Sequence, residues 1–152
     1  MEKIRVFSRK EAEKFIPPPK VHHAWISITT PGDDIAYIQH RKPYDIGIKR
    51  VAFHDMDSTE AGGVDMNGEP YILPDTLHAR EIYAFIRWNV LAIQELYVHC
   101  DAGISRSAGV AAALSKIFLG TDEEFFKAPY HPNRLIYRLI LDLHMNQGTA
   151  SI

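Results

Sequence analysis

The stretch from Leu96 to Leu119 constrains the fold more than any other part of the chain. Residues 96–99 are a short apolar run, a polar turn containing Gly103 follows, and 108–119 is an alanine-rich helical segment that stops at Gly120. A buried strand passing through one turn into a helix is half of a parallel crossover, because parallel strands are joined by helices and antiparallel ones by hairpins. The rest of the chain supplies matching pieces. Residues 4–7, 24–29 and 48–53 read as strands; Ser8 and Glu11 form a capping box for a helix over 9–15 that three prolines, Pro17, Pro18 and Pro19, end. From Asp75, a plausible N-cap, Ile82, Phe85, Ile86, Val90 and Ile93 fall at helical spacing and predict a long amphipathic helix to residue 93. Thr121 and Glu124 suggest a capping box for a short helix, and Pro132 precedes a last helix over 133–145, followed by Gly148. Residues 33–47 are ambiguous, with at most a short helical turn over 35–40, and 58–74, with Gly62, Gly63, Gly68, Pro70 and Pro74, reads as a long loop of the kind that is usually functional or mobile. The expected fold is α/β: a mostly parallel central sheet of about four to five strands, flanked by helices on both faces.

A chain of 152 residues and 17.3 kDa is about one domain, taken as residues 1–152, with enough surface to bury that neither disulfide nor metal is required. Its net charge of −2 supplies no global basic field, so neither nucleic acid nor an anionic membrane is an expected partner, and any anion site is local. No run approaches the ~18 apolar residues of a membrane span. Glu2, Glu11 and Glu13 near the N-terminus, with no apolar core beside them, point away from a secretory signal and toward the cytoplasm. One cysteine cannot make an internal disulfide, so Cys100 is either a small buried hydrophobe or a reactive thiol.

The surroundings of Cys100 favour the second. A tight turn entering a helix points successive backbone N–H groups inward as an anion nest, and the helix N-terminus adds about half a positive charge. Gly103 gives such a turn its conformational freedom, so Asp101, Ala102, Gly103, Ile104, Ser105 and Arg106 form a candidate phosphate loop between a strand ending at His99 and a helix starting near Arg106. The same field favours the thiolate of a cysteine at the base of the loop. Arg106, six residues after Cys100, offers a planar fork matched to two phosphoryl oxygens.

His99-Cys100, five residues, then Arg106-Ser107 resembles the signature of the cysteine-dependent protein tyrosine phosphatases, and the Ala102-Gly103-Ile104-Ser105-Arg106-Ser107 version is similar to the dual-specificity branch and its small bacterial relatives. Phe53-His54-Asp55 at a strand end resembles the Phe-x-Asp that carries the general acid in compact members, and Pro132-Asn133 resembles a recurrent dual-specificity feature. The resemblance covers about residues 48–145. It implies a phosphate monoester hydrolase in which Cys100 is the nucleophile, Arg106 binds the phosphoryl group and Asp55 is the general acid, with no metal or organic cofactor. Asp55 lies some 45 residues before Cys100, a longer interval than usual, which leaves Asp57 as the alternative acid and Asp65 and Asp75 as remoter ones. The implied partner is a phosphorylated protein or peptide, phosphotyrosine favoured; an RNA 5′-phosphate, a small metabolite or a non-catalytic phosphate-binding role are the alternatives. Asp101, acidic inside the loop, disfavours multiply anionic substrates.

Other readings weigh less. His99 is expected to support the loop, through a hydrogen bond to the Cys100 backbone or as a satisfied core histidine, and Ser107 can hydrogen-bond the leaving thiolate. Neither His22-His23 nor His54 with Asp55 and Asp57 has the spacing that places two metal ligands on one helix face. The stripe Ile82, Phe85, Ile86 and Val90 is expected to be core, and Trp25 and Trp88 core or partly buried surface.

Overall fold

The computed structural model of the chain describes residues 1–39, 42–57 and 63–147. Four strands, β1 (Lys3–Phe7), β2 (His23–Thr29), β3 (Asp45–Ala52) and β4 (Glu95–His99), form one sheet in the order β1-β4-β2-β3, with every neighbouring pair parallel. The helices are α1 (Arg9–Lys14), α2 (Thr76–Asn89), α3 (Arg106–Leu119) and α4 (Arg134–Met145), with a 3-10 turn, Glu123–Phe126, between the last two. This is the expected α/β architecture, with four strands and all of them parallel.

Strand alternation divides the core into two layers. Ala24, Ile26 and Ile28 of β2 and Leu96 and Val98 of β4 face α2, α3 and α4, where they meet Ile82, Ile86, Leu114, Ile136 and Ile140. The residues between them, Trp25 and Tyr97, face the other way with Phe7, and are covered by Ala12 and Phe15 and by Ala36 and Ile38. The aromatic rings of Phe7, Phe15, Trp25 and Tyr97 pack at centroid separations of 4.7 to 6.0 Å, mostly tilted or edge-on, so a small helix seals this face.

Several boundaries differ from expectation for physical reasons. The expected turn over 35–40 is not helical through residue 39: Ala36 and Ile38 are buried and Tyr37 is exposed, an extended alternation, and Arg9 ties the segment down by donating to the carbonyls of Asp34 and Ile35; His40 lies outside the described residues. β3 starts at Asp45 rather than 48, because parallel pairing to β2 continues past the apolar stretch through a register shift opposite Ala24, where Gly47 sits against the ring of Phe85. α2 ends at Asn89, short of 93. The Asn89 side chain donates back to Phe85 O at 2.7 Å, and the Asn89 carbonyl accepts from the N–H of Ala92 and Ile93, so Ile93 reaches the core from a turn. Trp25 is core but Trp88 is 90% exposed on α2, not partly buried. Thr121 and Glu124 do not form a capping box: the Thr121 hydroxyl accepts from Glu123 N–H, and buried Phe125 anchors a 3-10 turn of four residues. Of the long loop over 58–74, residues 58–62 lie outside the described residues, as does Gly148; in the remainder Asp65 accepts from the N–H of Asn67 and Glu69 and organises a tight turn.

Candidate active site

β4 is the central strand whose C-terminal end is flanked by β1 and β2, so the turn leaving it opens where sites collect in parallel sheets, outside the carboxyl ends of the strands. The turn over 100–105 is clamped from behind by its carbonyls. Arg9 N–H donates to Asp101 O at 3.1 Å, His131 N–H to Ile104 O at 2.9 Å and Asn133 N–H to Ser105 O at 2.9 Å. With those carbonyls drawn outward, Gly103 N–H points in and donates to Cys100 Sγ at 3.2 Å. Gly103 has φ +72°, and a Cβ there would stand 2.5 Å from Ser8 N and 2.7 Å from Phe7 C. Both a left-handed backbone and a close approach to the β1–α1 junction thus require glycine.

The sequence-predicted residues converge. Cys100 is buried, and Ser107 Oγ lies 3.0 Å from its sulfur, at the first turn of α3. Arg106 donates through Nη1 to Phe53 O at 2.9 Å and to Thr30 Oγ1 at 3.0 Å, and through Nη2 to Asp101 Oδ2 at 3.0 Å. Thr30 also donates to Asp101 Oδ2, so these two partners share the edge between Nη1 and Nη2. Of the five guanidinium donors, Nε–H and the second Nη2–H then remain, among the described residues, as a pair along the other edge. Burial raises the Asp101 carboxyl, but the Thr30 hydroxyl and the Arg106 guanidinium outweigh it and hold the group below its ordinary value, as an anion. Asp101 belongs to the loop by its backbone, while its side chain engages the arginine.

His99 is buried behind the loop, with Nδ1 3.2 Å from Cys100 O and Nε2 2.6 Å from Ser27 Oγ; Arg50 Nη1 donates to that same hydroxyl at 3.2 Å. Burial lowers the His99 pKa, more than the Cys100 carbonyl raises it, and Arg50 and Arg9 lower it further. The neutral ring then has one assignment that satisfies every partner: Arg50 donates to Ser27, Ser27 to Nε2, and Nδ1–H to the Cys100 carbonyl. One chain of hydrogen bonds thus joins His99 to the buried Ser27 hydroxyl and to the Cys100 backbone.

Asp55 stands at the rim, its Oδ1 accepting from Ser105 Oγ at 2.7 Å and from Asn133 Nδ2 at 3.0 Å. Asp57 instead lines a cavity of about 240 Å³ with Tyr130, His131 and Arg134. Asp65 organises its own turn and Asp75 caps α2, accepting from Leu77 and His78 N–H. Buried Asn133 joins three parts: besides Asp55, it donates to Met56 O at 2.9 Å and caps α4 by accepting from Ile136 N–H. No spacing in the sequence ties Thr30, Ser27 or Asn133 to the partners they meet here. Thr30 carried one usable signal, its position just past the C-terminal end of a parallel strand. Nδ1 of His22 lies by Gln94, of His23 by Val21 O and of His54 by Ile72 N–H, and among the described residues no cluster of three ligand-type side chains is placed to hold an ion.

No protein-family model matches the chain, and no curated protein matches it. Solved structures do. The human tyrosine phosphatase-like serine/threonine/tyrosine-interacting protein superposes with a TM-score of 0.60 at 14% identity, over 95% of this chain and 92% of its own. Human DUSP28 gives 0.59 at 16%, over 97% and 94%, and PTPMT1 in complex with PI(5)P gives 0.57 at 16%, over 99% and 95%. The chain has the fold of the cysteine-dependent protein tyrosine phosphatases, in the form that dual-specificity-type proteins share. At these identities the likeness is one of fold, and the chemistry rests on the residues themselves.

Proposed function

We propose that the protein hydrolyses phosphate monoesters through a cysteinyl-phosphate intermediate, with a phosphotyrosyl or dual-specificity phosphoprotein of the cytoplasm as the favoured substrate. The observation that carries this is the environment of one sulfur atom. Cys100 Sγ receives the Gly103 amide and faces the Ser107 hydroxyl at the mouth of α3, with Arg106 rooted in the same loop. In this reading the thiolate attacks phosphorus in line, the P–S bond forms, and the bond to the leaving oxygen breaks as that oxygen takes a proton from Asp55 Oδ2. Amides of residues 101–106 and the Nε–Nη2 edge of Arg106 hold the equatorial oxygens as charge moves onto them. Asp55, now a carboxylate, takes a proton from water as its oxygen attacks phosphorus. The P–S bond breaks, phosphate leaves, and the Ser107 hydroxyl and Gly103 amide stabilise the returning thiolate. Asp55 is favoured over Asp57 because Ser105 and Asn133 tie it to the loop itself. Asp101 weighs against a polyanionic substrate, by placing a carboxylate among the phosphate-binding residues.

Cys100→Ser should abolish turnover of p-nitrophenyl phosphate, and rapid acid quench of Asp55→Asn with p-nitrophenyl phosphate, whose leaving group departs without the acid, should show phosphate on Cys100 by mass spectrometry. Residual turnover of a few per cent in a clean Cys100→Ser preparation sinks the covalent route. Rates on phosphotyrosyl and phosphoseryl peptides, a phosphoinositide and a 5′-triphosphorylated RNA then decide the substrate class.

A further inference from the structure

At the carboxyl edge of the sheet, between the ends of β2 and β3, lies a second cavity, of about 190 Å³, lined by Thr29, Thr30, Asp33, Ile35 and Arg50 among others. It opens on the face that carries Trp25 and Ser27, and the Thr30–Asp101 pair stands between it and the phosphate loop. Its polar lining is unusual in two ways. Arg50 is half-buried, and among the described residues it makes one hydrogen bond, to Ser27 Oγ, and pairs with no carboxylate. Thr29 is only 6% exposed, yet among the described residues its hydroxyl has no hydrogen-bond partner. A buried hydroxyl without a protein partner is destabilising unless a ligand or water satisfies it, and a half-buried guanidinium without a counter-charge is costly for the same reason. Arg9 bears on Arg50 as a second positive charge, and the Asp33 carboxylate stands at the rim of the same cavity.

We propose that this cavity is a second anion site, taking a free tetrahedral oxyanion of phosphate type between the Arg50 guanidinium and the Thr29 hydroxyl. Volume and chemistry agree: the space holds one small anion and not a nucleotide, and Arg50 has four donors beyond the one given to Ser27. The anion is expected to be free rather than a second phosphoryl group of one substrate, because a doubly phosphorylated ligand would have to straddle the Asp101 carboxylate. The site also touches the catalytic apparatus from behind. Its arginine is the first member of the chain that runs through Ser27 and His99 to the Cys100 carbonyl, so an anion that draws Arg50 outward competes with Ser27 for its N–H.

The test follows backbone amide signals while inorganic phosphate is titrated into Cys100→Ser protein. Residues 29–33 and 50–52 report the cavity, and 100–107 report the phosphate loop. The cavity signals should saturate with their own midpoint, Arg50→Gln should raise that midpoint at least tenfold, and Asp33→Asn, which removes the carboxylate from the rim, should lower it. If Arg50→Gln does not fold, Thr29→Val is the replacement, with an expected several-fold rise. A phosphotyrosyl peptide and its doubly phosphorylated counterpart should leave the cavity signals alike; cavity shifts with the second alone keep the site but assign it to a substrate phosphoryl group. Cavity signals that stay still, or that track the loop midpoint in Cys100→Ser protein with and without Arg50→Gln alike, overturn the proposal. Failure of the hydrolase reading would show separately, as a loop that neither binds phosphate nor turns over an ester.

Discussion

Arg106 shows what a single side chain does here that its charge alone does not. Thr30, Phe53 O and Asp101 engage three of its donors and leave one edge to face a ligand, so orientation as well as charge is built in. Arg106→Lys keeps the charge and loses the edge, and is expected to lower kcat/KM on an aryl phosphate by more than tenfold, above ~1.4 kcal/mol of transition-state stabilisation; a smaller loss would show the fork to be dispensable. Asp55 is tested by the leaving group. A tyrosine oxygen of pKa ~10 needs a proton to depart and a nitrophenolate needs it far less, so Asp55→Asn should depress turnover of a phosphotyrosyl peptide much more than of p-nitrophenyl phosphate. Asp57→Asn should show no such split; if it does, the acid is Asp57. Cys100 and Arg106 could be read from the sequence because their relation is local, five residues within one turn. Thr30 and Asn133 could not, since each acts on the site from another element, and the numbers 30, 106 and 133 have no spacing that announces contact.

At the level of elements, the strongest sequence signals were those of helices with both a cap and a stripe. The Ser8–Glu11 capping box is present as read, Asp75 caps α2, and Gly120 closes α3 in the left-handed conformation at φ +87°. Boundaries failed where pairing or a side chain from elsewhere decides the end, as at β3, extended by β2, and at Asn89, turned back on Phe85. Within α3, Gly109 lies in an alanine-rich run of small residues. It is the point where α3 and the start of α4 touch: a Cβ there would come 2.5 Å from Asn133 O and 2.9 Å from Ile136 Cγ2. Gly109→Ala should therefore cost about 1–3 kcal/mol as overpacking, a fall in Tm of roughly 2–4 °C per kcal/mol for a chain of this size. Because Asn133 also holds Asp55, the same variant should lose activity on phosphotyrosyl peptide beyond its loss of stability. An unchanged melting curve would mean that the two helices separate without resistance.

For the whole molecule, acid sensitivity follows from a buried base and a loop carboxylate. His99 is held neutral below its ordinary value of 6.5, so the unfolded chain binds the proton more readily, and stability falls as pH drops below about 6.5 toward the lowered native value. The slope from one group is at most about 1.4 kcal/mol per pH unit, and His99→Gln should remove it from urea unfolding measured between pH 7 and 5. Asp101, held below 3.8, contributes stability above that value and loses it at lower pH, a separate and later step. The strand order β1-β4-β2-β3 also carries a consequence for how the chain is made. β1 is an edge strand whose sole neighbour, β4, emerges about ninety residues later, roughly 5–20 s at ordinary rates of synthesis. Until then β1 has no strand to join, and the β1–α1 junction against which Gly103 closes has nothing to hold. A nascent chain stalled before residue 95 should expose both β1 and β2 to proteolysis, and a released chain should assemble its centre last, inserting β4 between strands already made. Cys100 follows β4 directly, so its thiol enters the chain together with the strand that positions it and ahead of the two helices that close over the loop.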